Sequence, residues 1–526
     1  MNFSYYASIH SQNVPNKVGF IERSPAKGTR RALIWREFNN TVNKVTNYLR
    51  NEFHIKKGDF VLHLQNNSLE WLITYHAIIR IGAIVVPLNF RFIGDDIKYA
   101  ASVCKPVAFI LGSEFLERVL PIKSELKSIK NYVVVGETVP SDMKMFAELE
   151  RYSDATEKIQ DMTDNEDLAL MFTSGTTGKP KPVLHTHGSI NAVAIGNAIS
   201  FSVQKDGNYI GFFPLYHAGT MFYMSAYYVI GATGTLLTEI KDPKWIIETV
   251  AEEKGSDLML VVPVAISLIN AIKNKDIEFK NYDLSSWKML EIGAQPIPFD
   301  ILRDLTALLP CKVIVGYGIT EGGGGSTIML HHEDVLKKPG SIGKPNFCVQ
   351  CQLVDEKGDR ALPGMVGEIT LKTPRNMKGY YKNPELTAQT IKDGYLYTGD
   401  LARMDEDNYY YIVDRKKDLI ICGGENIYPV EIEEVLHDHP KIEDAAVIGF
   451  PDERLVEIVM AIVQLKEGES ATAEEIIEFC KSRLAQYKIP RKVVFDKIPR
   501  NPTGKISKPE LRGKYTGNRE VIKKRV

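Results

Sequence analysis

The segment Phe172–Lys181 reads FTSGTTGKPK and continues the apolar run Leu168–Phe172. Such a run is typical of a buried strand, and the segment after it offers hydroxyl donors, unobstructed backbone N–H groups and positive charge to a polyphosphate. A Walker A loop has a different spacing, because here only two residues separate the glycines and a proline follows the first lysine. We predict another kind of nucleotide loop delivered by a strand. From composition alone, a Ser/Thr/Gly-rich surface turn is the alternative.

Composition narrows the class of protein. The chain has 526 residues, 44% of them hydrophobic and 25% charged, which predicts a globular protein of two or more domains. Lysine and arginine number 65 against 66 acidic residues, so no nucleic-acid partner is expected. The N-terminus lacks a signal-peptide pattern, and the longest apolar run, Leu258–Ile269, is interrupted by Pro263. We therefore expect no integral membrane segment and a cytoplasmic protein.

Metal and disulfide scaffolds are not indicated. Six cysteines in a chain of this size suit a reducing compartment. Cys348 and Cys351 form a C-x-x-C, but the alternation over Phe347–Leu353 is typical of a strand, where residues three apart face opposite sides. We predict two structural cysteines rather than a metal or redox pair. His331–Glu333 has no second ligand cluster at zinc spacing and is expected in a solvated loop.

The chain alternates helical and strand-like patterns over its first 330 residues. Apolar residues recur at helical spacing over Ile34–Leu49, strand-like Phe60–Leu64 follows, and Trp71–Ile81 reads as the next helix. Such alternation predicts mostly parallel sheets. From about Gly340 to Asp414 short Val/Ile/Tyr-rich runs and turns predict antiparallel strands, with Asn408 at a turn position that tolerates positive φ. A compact α+β unit is expected after residue 417.

Five further motifs follow in a fixed order. They are Tyr317–Glu321 (YGITE), Tyr397–Asp400 (YTGD), Asp414–Asp418 (DRKKD), Gly423–Pro429 (GGENIYP) and Pro502–Lys505 (PTGK). With the first segment, they resemble the adenylate-forming superfamily of acyl-CoA synthetases, firefly-type luciferases and carrier-protein adenylation domains, from about Ile34 to Lys505. GGENIYP and Pro214–His217 (PLYH) are spelled as in the acid:CoA ligase branch. Departures from the family pattern are Pro182 for glycine, Gln295 for alanine, and Leu455-Val456 for Trp-Gly.

The resemblance implies an α/β fold with two domains. A large N-terminal AMP-binding domain is expected over residues 1–416, built from parallel-sheet βα subdomains and a small β-barrel at about 340–414. A small, mobile α+β C-terminal domain is expected over 417–526. In relatives this domain swings between two half-reactions, and Lys417 matches the pivot residue.

The resemblance also implies where ATP binds. A carboxylate is a poor electrophile because its leaving group would be oxide. ATP is therefore used to convert it into a mixed anhydride with AMP, which has a good leaving group. The residues implied to hold the phosphates are Thr173, Ser174, Gly175, Thr176, Thr177, Gly178 and Lys179. Those implied to bind the rest of the nucleotide are Gly293, Ala294, Gln295, Tyr317, Gly318, Asp400 and Arg415, with Asp400 accepting hydrogen bonds from the ribose hydroxyls.

Three residues are implied to act on the reacting groups. Thr320 is expected to contact the α-phosphate, and Glu321 to supply a carboxylate to Mg²⁺, which keeps several waters. Lys505 is expected to bridge the substrate carboxylate and the α-phosphate, where two anions meet. Its alternative reading is a solvated loop lysine.

The second half-reaction is implied to use CoA. Gly423 and Gly424 are expected to serve this step, and His217 to gate the passage between acyl pocket and thiol tunnel through its bulk. The residues Phe212–Tyr227 contain no acid, whereas amino-acid-activating relatives usually place an aspartate near His217. We also interpret the run Gly322–Gly325 as removing bulk near the acyl path, which favours a roomy apolar pocket.

The sequence therefore predicts an AMP-forming acid:CoA ligase that uses ATP, Mg²⁺ and CoA on an apolar medium-chain, cyclic or aromatic acid. An enzyme that loads an acyl-carrier protein from acyl-AMP is the first alternative. A non-catalytic nucleotide-binding regulator is the second, and the presence of Glu321, Asp400, Arg415 and Lys505 argues against it.

Overall fold

A computed structural model describes residues 1–155, 159–173, 180–422, 425–452, 454–500 and 506–516. Several predicted site residues lie outside these ranges: Ser174–Lys179 of the phosphate segment, Gly423 and Gly424, and Lys505. Thr173 and Lys181, which flank the first of these gaps, are described.

The described residues form strands and helices in alternation along most of the chain. The strands are β1 Val18–Ser24, β2 Thr29–Ile34, β3 Phe60–Leu64, β4 Ile84–Pro87, β5 Ala108–Gly112, β6 Asn131–Val135, β7 Lys144–Met145, β8 Asp167–Thr173, β9 Lys181–Thr186, β10 Asn208–Gly211, β11 Thr233–Leu237, β12 Asp257–Leu260, β13 Met289–Gly293, β14 Lys312–Tyr317, β15 Ile328–Leu330, β16 Lys344–Pro345, β17 Gln350–Val354, β18 Val366–Lys372, β19 Gly379–Tyr380, β20 Ile391–Lys392, β21 Tyr395–Met404, β22 Tyr410–Arg415, β23 Ile420–Cys422, β24 Glu425–Ile427, β25 Ile442–Asp452, β26 Val456–Leu465 and β27 Lys492–Phe495.

The α-helices lie between these strands. They are α1 Tyr5–Asn13, α2 Trp35–Asn51, α3 Leu69–Ile81, α4 Gly94–Cys104, α5 Leu116–Val119, α6 Phe146–Leu149, α7 His187–Ser200, α8 Ala218–Ile230, α9 Lys244–Glu253, α10 Val262–Lys273, α11 Phe299–Leu308, α12 His332–Val335, α13 Pro384–Thr390, α14 Pro429–His437, α15 Ala473–Lys481 and α16 Lys508–Thr516.

Two large sheets carry most of the N-terminal part. One runs β19-β9-β8-β4-β3-β5-β6-β7 and the other β16-β15-β14-β13-β12-β10-β11-β1-β2. Their central strands are parallel, with antiparallel pairs towards the ends, including β8 with β9 and β14 with β15. Helices α7 and α8 pack against each other within a shared apolar core. The predicted parallel α/β architecture is confirmed.

Two smaller sheets follow. Strands β17, β18, β21, β20 and β22 pair antiparallel, as expected for the β-rich segment. Strands β23 to β27 form a sheet with separate apolar clusters and with helices α14, α15 and α16. The domain boundary after residue 416 stays a prediction.

Local details correct three expectations. Strand β17 begins at Gln350, so Cys348 precedes it, exposed and at φ +60°; all six cysteines are described and are free thiols. Residues His332–Val335 form a short helix instead of a loop, and the His332 ring accepts a hydrogen bond from the Val313 N–H at 3.1 Å. Helix α3 begins at Leu69, two residues before the expected Trp71. Among the described helices, none combines the length and apolar character needed to cross a bilayer.

Asn408 and Val456 are two of the non-glycine residues that adopt left-handed backbone conformations. Asn408 has φ +63°, as the sequence predicts for a polar turn residue. Val456 has φ +71° although it is β-branched, and 44% of it is exposed. It stands where the family pattern usually has glycine. A side chain in the left-handed backbone conformation crowds the following carbonyl oxygen, which destabilises the fold by about 1–2 kcal/mol.

We therefore predict that Val456→Gly raises the free energy of unfolding by about 1 kcal/mol, because glycine relieves the crowding and little buried surface is lost. Thermal unfolding of the two proteins measures the change. Val456→Ala is the matched control, since it shortens the side chain but keeps a Cβ at positive φ. A gain in the alanine variant equal to that of glycine would contradict the explanation.

Candidate active site

The predicted adenine and ribose residues lie at the carboxyl ends of neighbouring parallel strands. Gly293 ends β13 and pairs with Gly316 of β14, one residue before Tyr317. A Cβ on Gly293 would lie 2.4 Å from the Gly316 carbonyl oxygen, so the backbone approach excludes a side chain. Ligands of open α/β sheets bind at this edge, beyond the strand ends.

Asp400 joins that edge to the β-rich part of the chain. Its side chain is buried; the Tyr317 hydroxyl donates to Oδ2 at 2.6 Å, and the Arg415 Nε lies 3.3 Å from Oδ1. Register places Asp400 directly opposite Arg415. A carboxylate has lone pairs beyond those two contacts, so Asp400 can still accept hydrogen bonds from the ribose hydroxyls. Three predicted nucleotide residues thus form one connected group.

The surroundings of Arg415 and Tyr317 keep both side chains protonated. Burial lowers the pKa of Arg415, but the negative charges of Asp400 and Asp418 outweigh it, and the pKa is raised overall. Burial and then the Asp400 charge raise the pKa of Tyr317 well above its usual value. Tyr317 therefore remains a hydrogen-bond donor and Arg415 a cation.

Thr320 and Glu321 are held by residues that the sequence analysis did not select. The carbonyl of Thr320 accepts a hydrogen bond from the His185 Nε2 at 2.9 Å, and burial lowers the pKa of His185 to about 4, so the ring is neutral. The carbonyl of Glu321 accepts from the Met377 N–H at 2.8 Å, and its Oε1 accepts from the Tyr380 hydroxyl at 3.0 Å. Backbone and carboxylate of Glu321 are both anchored.

The same contacts connect Glu321 to the flanks of the phosphate segment. Thr173 ends β8 and pairs with Lys181, the first residue of β9, while Tyr380 of β19 pairs with Val183 of β9. The Lys181 Nζ lies 5.3 Å from the centroid of the Tyr380 ring. Lys181 is therefore a second lysine beside the phosphate segment, after Lys179. Its contact with Tyr380 follows from the strand pairing and from no local sequence pattern.

Two buried polar atoms mark groups that suit a nucleotide. The Thr173 Oγ1 and the Gln295 Oε1 are buried and have no hydrogen-bond partner among the described residues. Buried polar atoms are normally paired, and these are a potential donor to phosphate and a potential acceptor for an amine such as that of adenine. The family departure at Gln295 thus adds an acceptor rather than removing one. The residues present fit ATP.

The donor set also fits Mg²⁺. Within the described ranges no group of three or more His, Cys, Asp or Glu side chains could enclose a metal. Mg²⁺ usually takes one or two carboxylates and completes its coordination with phosphate oxygens and water. One anchored carboxylate, Glu321, fits that pattern.

The other predicted residues have structural surroundings of their own. Ala294 has φ +71° and packs beside the large apolar core. His217 precedes α8, and its Nδ1 accepts a hydrogen bond from the Gly219 N–H at 3.1 Å. A Cβ on Gly318 would lie 2.5 Å from the Gly324 carbonyl oxygen. The gating role of His217 stays a prediction.

The interpretation that the glycines of Gly322–Gly325 remove bulk beside a pocket is wrong for Gly324 and Gly325. A Cβ on Gly324 would lie 2.3 Å from the Phe222 ring, and one on Gly325 would lie 2.3 Å from the Tyr223 ring. Both aromatic residues belong to α8 and are buried. The glycines let this helix pack against the segment after Glu321, and the space beside Gly324 and Gly325 is filled.

Similar proteins define the class. The sequence models of the AMP-binding enzyme and of the AMP-binding enzyme C-terminal domain match residues 9–381 and 431–505. The chain belongs to the AMP-binding enzyme family. The feruloyl-CoA synthase of an Amycolatopsis species is 33% identical over 92% of this chain and 94% of that enzyme. The long-chain-fatty-acid–CoA ligase FadD13 of Mycobacterium tuberculosis is 32% identical over 88% and 89%.

A solved structure agrees with this assignment. The o-succinylbenzoate coenzyme A synthetase of Bacillus subtilis, in complex with ATP and magnesium, is 26% identical and matches with a TM-score of 0.82 over 95% of this chain and 97% of that one. These relatives confirm the predicted membership in the acid:CoA ligase branch and the class of ATP-dependent acyl-CoA synthetases. ATP, Mg²⁺ and CoA are the cofactors of that class.

One buried acid beside the site has a measurable consequence for stability. Glu291 lies two residues before Gly293, its Oε1 accepts from the Ser326 hydroxyl at 2.9 Å, and Ser326 contacts the Tyr223 hydroxyl at 2.7 Å. Burial raises the pKa of Glu291 from 4.5 to about 8, so the folded protein keeps this group protonated at neutral pH. Its contribution to stability is complete below about pH 4.5 and is lost as pH rises to about 8.

We predict that Glu291→Gln, which stays neutral, becomes more stable relative to the parent protein as pH rises from 5 to 8, by about 2–4 kcal/mol at pH 8. Thermal unfolding across this pH range measures the difference. A constant difference between the two proteins over the range would show that Glu291 does not titrate as inferred.

Proposed function

We propose that this protein catalyses AMP-forming ligation of an apolar carboxylic acid to CoA. In the first step a carboxylate oxygen bonds to the α-phosphorus of ATP as the bond to the β-phosphate breaks, which yields acyl-AMP and pyrophosphate. In the second the CoA thiol loses its proton and attacks the acyl carbon, which yields acyl-CoA and AMP. The observation that carries the proposal is the contact of Tyr317 and Arg415 with Asp400, next to the anchored Thr320–Glu321 pair.

Each group has a physical reason for its proposed role. Asp400 binds ribose, and Thr320 contacts the α-phosphate where charge develops. When bound, Mg²⁺ neutralises phosphate charge, and Glu321 would hold it. Thr173 and the segment Ser174–Lys179 would hold the departing pyrophosphate. Lys505 would neutralise the negative charge where the substrate carboxylate approaches the α-phosphate in the first step.

The acid is proposed to have an uncharged, apolar body. Helix α8, whose N-terminus follows His217, is buried along most of its length and carries aromatic and methionine side chains but no acid. A substrate ammonium would find no counter-charge on this helix. Two relatives are named for a long-chain fatty acid and for ferulate, which are both acids with an apolar body. Medium-chain, cyclic or aromatic acids are therefore proposed, in a cytoplasmic setting.

Release of AMP from ATP in the presence of CoA and a panel of acids tests the function. We expect hexanoate or benzoate to support release at least 10-fold better than acetate or propionate, because burial of more apolar surface strengthens binding. Release only with an acyl-carrier protein would favour the alternative acceptor. Nucleotide binding without turnover on any acid would favour the regulator.

We also predict that variants of the C-terminal part separate the two half-reactions. Lys505→Ala is expected to slow acyl-AMP formation about 100-fold or more, yet to spare conversion of supplied acyl-AMP to acyl-CoA. Gly424→Leu is expected to do the reverse, because a side chain there would obstruct the thiol. Single-turnover assays score each step. Equal loss of both steps in two folded variants would refute a swinging domain in this protein.

A further inference from the structure

The Tyr380 hydroxyl contacts the carboxylate proposed to hold Mg²⁺. It lies 3.0 Å from the Glu321 Oε1, and Tyr380 is only 6% exposed. In this contact the Tyr380 hydroxyl is the donor and the Glu321 carboxylate oxygen is the acceptor. A glutamate has three rotatable side-chain bonds, and this contact restricts them before any ligand arrives.

The position of the tyrosine is itself fixed by neighbouring elements. Strand pairing sets Tyr380 opposite Val183, and its backbone N–H donates to the Thr387 hydroxyl at 2.9 Å. The Lys181 ammonium faces the ring. The hydroxyl is therefore carried by a residue whose backbone is attached at two points, whereas Glu321 lies on a short turn after β14.

We propose that Tyr380 is a positioning residue that holds the Glu321 carboxylate by one oxygen and leaves the other for the metal ion of the metal–nucleotide complex. This inference rests on the proposed role of Glu321 and adds a residue to it. A carboxylate that is already oriented loses less side-chain entropy when the ion binds, so the ion binds more tightly. A hydrogen bond with a purely structural role would change stability without changing metal binding.

Tyr380→Phe tests the proposal, because it removes one oxygen and keeps the ring that packs in the core and faces Lys181. The readout is the dissociation constant of α,β-methylene-ATP, measured by calorimetry with EDTA and with saturating Mg²⁺. The dissociation constant in EDTA divided by the dissociation constant in Mg²⁺ reports how strongly metal binding and nucleotide binding are coupled. We expect Tyr380→Phe to reduce that ratio by roughly 3- to 10-fold, with little change in the EDTA value.

Tyr411→Phe is the matched control. The Tyr411 hydroxyl donates to the Asp405 carboxylate at the same distance, 3.0 Å, on the β-rich sheet. This variant loses an equivalent hydrogen bond and should leave the ratio unchanged. An equal reduction in both variants would overturn the proposal.

A double-mutant cycle with Glu321→Gln decides whether the tyrosine acts through the glutamate. If it does, the double variant has the same ratio as Glu321→Gln alone. If the reduction in the double variant equals the product of the reductions in the two single variants, the proposal is overturned while the role of Glu321 stays intact. A normal ratio in Glu321→Gln itself would overturn the role of Glu321, and the proposal for Tyr380 with it.

Discussion

A buried carboxylate must be paired, and Asp400 satisfies this requirement by contacting residues of two sheets. Its contacts come from Tyr317 at the end of a parallel strand and from Arg415 on the strand opposite. Removing Arg415 would leave the Asp400 charge without its ion-pair partner in a poorly solvated place, which is strongly destabilising. The group that is proposed to bind ribose is thus also the group that holds the β-rich sheet against the edge of the larger sheet.

The second organising element is strand β9. One of its ends adjoins the phosphate segment, its own residue His185 contacts Thr320, and Tyr380 on the strand paired with it contacts Glu321. A shift of this strand would therefore move both the flank of the phosphate segment and the anchor of the carboxylate that is proposed to hold the metal. The proposed handling of phosphate and metal by one unit follows from this shared support.

A turn residue and a run of glycines show where local reading of a sequence is reliable and where it fails. Asn408 was expected at positive φ, and it is, because turn chemistry depends on a few adjacent residues. The sequence favours a reading of Gly324 and Gly325 as residues that remove bulk beside a pocket, yet aromatic rings of α8 pack directly against them. Absence of a side chain in one segment says nothing about which distant side chain occupies the volume.

The sequence by itself determined the class of protein, the α/β architecture and the absence of an acid along α8, because ordered motifs and periodicity are local properties of the chain. The tertiary structure alone decided which residues hold the site. Tyr380 is 59 positions from Glu321 and His185 is 135 from Thr320, and no local pattern links them. Such contacts depend on which strands pair and in which register, and register follows from the packing of whole faces of the sheet rather than from any one segment.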